Sequence, residues 1–233
     1  MRIWSLLRAQ ALEARRNPTL AMLPGIVLVL ALVWKALAKT EADAMFFTSA
    51  CLLMCTYTVG FQFPSVSMAE EREKRTLEAI LLTPARPLEV ITSRALLAAA
   101  VSTLAAAVSV ALFQTVPANA GLLWLGFLLS LAFTVTAGLT VGLVAPDQKT
   151  AGVLGAPIMI VLLLGGVMPW EQTWPEFWAV QAWMPTRPAV ELIRSGLTGE
   201  AVPVMQDVAV LLVYLALVVI ICSRTMRRLA SAR

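Results

Sequence analysis

The side chains in this 233-residue chain that could do chemistry crowd into one run: Glu70, Glu71, Arg72, Glu73, Lys74 and Arg75. Six consecutive ionisable groups of mixed sign belong in water, and they suit a contact with another charged surface. Elsewhere reactive groups are sparse. The chain has no histidine, so the commonest general base and metal ligand is missing. No Gly-rich loop ends in Gly-Lys-Ser/Thr, no Gly-x-Ser-x-Gly elbow occurs, and no His-Glu-x-x-His occurs. The three cysteines, Cys51, Cys55 and Cys222, all lie in apolar stretches. Their odd number argues against a disulfide framework or a zinc site. Cys51 and Cys55 share a helix face and read as reduced, space-filling thiols. The chain itself is read as no enzyme, with no cofactor and no metal of its own.

The elements that carry this run are apolar. Hydrophobic residues make up 59% of the chain and charged residues 14%; soluble domains run at about 45–50% and about 25%. The excess falls in blocks long enough to cross a bilayer, which takes about 20 residues of helix. Six spans are expected, at 19–38, 44–68, 90–115, 120–145, 150–168 and 204–223. Pro64 predicts a kink in the second. Pro157, near Gly152 and Gly155, predicts a local break in the fifth. Gly138-x-x-x-Gly142 permits a close helix approach in the fourth. Ala36-Leu37-Ala38 looks like a signal-peptidase site. The apolar stretch before it is too long for a signal peptide and more spans follow, so it reads as an uncleaved first span.

Residues 2–16 form an amphipathic pattern, with Ile3, Trp4, Leu7, Ala11 and Ala14 on one arc and Arg2, Ser5, Glu13 and Arg16 opposite. This predicts a helix over 1–18 lying in the membrane interface, ended by Asn17-Pro18. Trp170, Trp174, Trp178 and Trp183 alternate with prolines in the stretch 169–203. Tryptophan prefers the interface and dense proline forbids one continuous helix, so two short re-entrant helices are expected there. The basic tail 224–233 closes the chain. With both ends cytoplasmic, all of the 18 Lys and Arg fall inside except Lys35, Lys39, Arg187 and Arg194. The net charge of +4 therefore reads as a topology signal with contact to anionic lipid, not as a nucleic-acid site.

The cores of the six expected spans contain no Asp, Glu, Lys or Arg. A proton relay or an intramembrane protease would need one, so both are disfavoured. Thr56, Thr58, Gln62, Ser102, Thr103, Ser109, Gln114, Ser130, Thr134, Thr136 and Thr140 supply uncharged polar groups that pack between helices or bond back to carbonyls. After the charged run, Leu77, Ile80 and Leu81 share one arc, with Arg72, Arg75 and Ala79 opposite, until Pro84 stops the helix. Such a helix either docks on a soluble partner or rests on lipid.

The run Met68-Ala69-Glu70-Glu71-Arg72-Glu73-Lys74-Arg75-Thr76-Leu77-Glu78, followed by Leu81-Leu82-Thr83-Pro84, resembles the hallmark loop of type-2 ABC exporter permeases. That family shows Glu-Arg-Glu-x-Gly-Thr-Leu-Glu; Arg75 stands where it usually has glycine. The resemblance extends to the amphipathic N-terminus, the six spans, and the outer stretch Met168-Pro169 … Trp174-Pro175 … Met184-Pro185-Thr186-Arg187-Pro188 … Arg194 followed by Gly199.

The resemblance implies an all-α membrane protein with six transmembrane helices, an N-terminal interfacial helix, a cytoplasmic coupling helix and short outer re-entrant helices. It implies the permease subunit of an ATP-driven exporter in a bacterial inner membrane, working with two copies of a separate ATPase that binds ATP and Mg, and with a second copy of this permease or a related one. Glu70, Glu71, Arg72, Glu73, Lys74, Arg75, Thr76, Leu77, Glu78, Ile80 and Leu81, in the loop 69–87, would couple to the ATPase. Phe61, Gln62, Phe63, Pro157, Met159 and Val161, on the second and fifth spans, would line the substrate path. The cargo would be an amphipathic drug, peptide or lipid-like molecule. A haem-export-type ABC permease of cytochrome c maturation, and a non-transporting membrane sensor or scaffold, stay open as alternatives.

Overall fold

A computed structural model of the chain describes residues 10, 12, 17–74, 76, 87–167 and 184–231. The described residues contain helices and short connections and no strand. Helix α1 spans Pro18–Leu37. Asn17 caps it by accepting from the Thr19 N–H at 3.0 Å, and Pro18 occupies the first turn, where its missing N–H is not needed. Helix α2 spans Glu41–Glu73 and opens with a reciprocal capping box between Thr40 and Asp43. Helix α3 spans Pro87–Phe113, α4 Ala120–Val144 and α5 Gln148–Val167. Helix α6, Thr186–Thr198, is short; α7 runs Val204–Ser231.

Six of these, all but α6, are long and apolar enough to cross a membrane, as the sequence predicts. The boundaries differ in instructive places. The second span does not end near residue 68: α2 continues as helix through the charged residues to Glu73, about 50 Å in all at 1.5 Å per residue. Past residue 223 the basic tail does not unwind at once: Arg224, Arg227 and Arg228 continue α7 as helix. Helix α5 passes through Pro157 without a break. Pro157 and Val153, whose carbonyl it leaves without a helical donor, both face outward.

The kink expected at Pro64 takes another form. Pro64 cannot donate to the Gly60 carbonyl, and the turn just before it, Cys55–Gly60, is widened into a π-helix. The Ser102 hydroxyl on α3 donates to the Cys55 carbonyl at 2.6 Å at the start of that turn.

Helices α2 and α4 form the centre. In the apolar stretch of α2, 72% of residues are buried, and 56% in α4, against 17% in α1 and 11% in α7. The two central helices touch backbone to backbone. A methyl at Gly138 would lie 2.1 Å from the Phe61 carbonyl oxygen, and one at Gly142 would lie 2.5 Å from that of Ser65. Only glycine permits that approach, which accounts for the Gly138-x-x-x-Gly142 pattern. Helix α6 meets the start of α4 in the same way, through Gly196 and Gly126. It ends at Gly199, whose φ of 80° is a left-handed cap.

Of the interfacial helix expected over 1–18, Gln10 and Leu12 are described and helical, Asn17 and Pro18 cap and begin α1 instead, and the other residues lie outside the described ones. Residues 169–183 of the expected re-entrant stretch also lie outside them; the remainder forms α6 and the connection to α7.

Candidate functional site at the charged end of the second helix

Glutamate, arginine, methionine and alanine favour helix, so the local sequence supports the extension of α2 beyond the apolar stretch. Glu70 and Lys74 pair at 2.5 Å across one turn, with the acid on the N-terminal side. Each residue of a helix is turned by about 100° from the last, so four in a row point in four directions. Here each direction holds a different helix. Glu70 Oε2 accepts from Asn17 Nδ2, at the head of α1, at 2.5 Å. Glu71 pairs with Arg94 of α3. Arg72 donates to the Leu143 carbonyl and, at 2.9 Å, to that of Ala145, at the end of α4. Glu73 Oε2 accepts from the Gln148 N–H, at the head of α5, at 3.2 Å.

The charges match the helix ends they meet. The Arg72 guanidinium sits on carbonyls that the last turn of α4 leaves without helical partners, at the negative end of its dipole. The Glu73 carboxylate sits at the positive end of α5. Asp147 caps the same helix: the Thr150 N–H and hydroxyl bond its carboxylate at 2.7 and 3.0 Å. The Thr150 N–H in particular holds the Asp147 carboxyl below the ordinary range.

The charged run therefore does not sit wholly in water, as its composition suggests. The Glu71 and Arg94 side chains are only 5% and 3% exposed. An ion pair taken out of water survives only with close geometry, and removing one partner strands the other. Glu73, Lys74 and Thr76 are exposed, and the Thr76 hydroxyl donates to the Glu71 carbonyl at 3.2 Å. Arg75, Leu77, Glu78, Ile80 and Leu81 lie outside the described residues.

Of the residues expected along a substrate path, the fold brings three together. Gln62 Nε2 donates to Met159 Sδ at 3.9 Å, and Phe61 and Gln62 both pack on Gly155 of α5. Gln62 Oε1 is buried without a hydrogen-bond partner. Phe63 is buried in the core. Pro157 and Val161 face outward on α5, next to the exposed Val153, Ile158 and Ile160.

A second charged group lies at the opposite end of the bundle. Arg187 Nε donates to Glu191 Oε1 at 2.7 Å on α6. Asp207, in the first turn of α7, feels both of these charges; it is buried, and its Oδ2 has no hydrogen-bond partner.

Sequence reasoning passed over Gln10, Ser93, Arg94 and Gln148 as contact residues, and read Asn17 only as a helix stop. One signal was present: an arginine within the first turns of a predicted span needs a partner, and the nearest acidic run lies across the preceding loop.

A comparison with curated proteins gives no match. Residues 1–198, which include the whole charged junction and reach to the end of α6, match the ABC-2 type transporter family. Six membrane-length helices around a charged helix end, and that match over most of the chain, place this protein in the ABC-2 type transporter family as a transmembrane permease component.

Proposed function

We propose that the chain is the permease subunit of an ATP-driven exporter, with the end of α2 and the residues after it seated on a separate ABC ATPase. The observation that carries this reading is the junction itself. Lys74 and Thr76 are exposed at the head of an amphipathic stretch, while the four residues just before Lys74, Glu70 to Glu73, are tied to α1, α3, α4 and α5. A push delivered there reaches every neighbouring helix. In this reading Lys74, Arg75, Thr76, Leu77, Glu78, Ile80 and Leu81 meet the ATPase, and Glu70, Glu71, Arg72 and Glu73 transmit its movement. ATP and Mg are bound by the partner, the charged end faces the cytoplasm, and two copies of the permease work together. The cargo is amphipathic, and it passes near Phe61, Gln62 and Met159, where the free Gln62 carbonyl oxygen could accept a hydrogen bond.

Co-expression with candidate ABC ATPases tests this. One of them co-purifies with the full chain, and its ATP hydrolysis is stimulated. Leu77→Asp abolishes capture, because a charge on the apolar arc opposes docking. If no ABC ATPase is retained, or if Leu77→Asp leaves capture and stimulation intact, the reading is wrong.

A further inference from the structure

Two successive residues of α3 hold two distant pieces of the chain. The Ser93 hydroxyl donates to the Val90 carbonyl at 2.8 Å and accepts from Gln10 Nε2 at 2.9 Å. Gln10 and Ser93 are both buried, so the N-terminal segment is seated on protein at this point. The next residue, Arg94, reaches the other way to Glu71. Gln10 and the end of α2 thus meet on one turn of α3.

Stability alone is a poor reason for the ion pair. Apolar residues of similar volume usually serve a buried site as well or better, and an arginine within a span costs free energy on insertion. An ion pair shielded from water does one thing an apolar contact does weakly: it resists being pulled apart as well as pushed together. That property suits a joint carrying movement in both directions.

We propose that Arg94 is a positioning residue for energy coupling. With Ser93 it joins the N-terminal segment and the partner-facing end of α2 into one unit, and movement of that unit reaches α3 through the Glu71–Arg94 pair. This rests on the permease reading above.

The test uses the full chain with the ATPase captured by it. Three variants are compared: Glu71→Gln with Arg94→Met, the swap Glu71→Arg with Arg94→Glu, and Ser93→Ala. The neutral pair retains the ATPase at wild-type yield but loses about tenfold in stimulated ATP hydrolysis, and the swap recovers it. Undiminished stimulation by the neutral pair overturns the proposal. Failure of the neutral pair to assemble also overturns it, because the ion pair is then a structural staple only. Hydrogen exchange over residues 1–17 is read on the permease alone. Ser93→Ala raises it; unchanged exchange overturns the join. This second measurement needs no ATPase, so it stands even where the permease reading fails for want of a partner.

Discussion

A methyl group at Gly138 has nowhere to go. It would sit 2.1 Å from the Phe61 carbonyl oxygen, and backbone cannot swing aside as a side chain can. Gly138→Ala must therefore push α4 away from α2, at a cost of about 1–3 kcal/mol. Thermal unfolding in detergent checks this, with Gly152→Ala as the control, since a methyl at Gly152 meets nothing within 4 Å. The first variant melts several degrees lower and the second no lower than wild type. At this scale the sequence was partly legible. The glycine spacing announced a close approach because it is a local pattern on one helix. The Glu71–Arg94 pair did not announce itself, since its members belong to different helices and meet only through the fold. Charge alone pointed Glu71 toward water.

Helix α2 shows what an element adds to its residues. Its widened turn, Cys55–Gly60, lies just before Pro64, and the Ser102 hydroxyl takes up the Cys55 carbonyl. Ser102→Ala removes that donor between two helices, lowering stability by about 0.6 kcal/mol. Thr136→Val serves as the comparison. Its hydroxyl bonds the Ala132 carbonyl within its own helix, so its loss is smaller in the same melting assay. The proline made a disturbance readable, but not its form, which depends on neighbours: a methyl at Gly60 would lie 2.6 Å from Leu131 Cδ1 and 3.0 Å from Thr134 Oγ1. The length of α2 was misread for a different reason. Hydropathy ends a span where charge begins, yet Glu70 and Lys74 sit at helical spacing and pair, which continues the helix. Helix α6 ends on Gly199, at φ 80°, the glycine that follows Arg194 in the outer stretch of the family resemblance. Gly199→Ala costs about 1–2 kcal/mol from backbone strain, which loosens α6 from the connection before α4 and appears as faster proteolysis at that end of the bundle.

The whole molecule has two unlike ends. Asn17, Glu70–Lys74, Arg94, Asp147, Gln148 and the basic turns of α7 gather at one; Thr40, Asn119, α6 and the head of α7 gather at the other. With all six long helices crossing a membrane, the head of α1 and the end of α7 fall on the same side. Which side it is rests on the placement of lysine and arginine, of which, among the described residues, only Lys35, Lys39, Arg187 and Arg194 fall at the far end. Translocating a positively charged loop is disfavoured, so the proposed orientation puts the charged junction in the cytoplasm. The chain offers a clean way to measure this. Its three cysteines are free and buried, so a membrane-impermeant thiol reagent finds little background. Lys149 and Glu200 are exposed at opposite ends of the bundle. Glu200→Cys is labelled on intact cells, and Lys149→Cys only after the membrane is opened. The reverse pattern would turn the molecule over and leave the exposed residues at the end of α2 beyond the reach of any cytoplasmic ATPase. Labelling of both in intact cells would contradict the six-span topology itself. The orientation experiment therefore bears on the coupling proposal without using any residue of the junction, and its answer does not depend on finding the cargo.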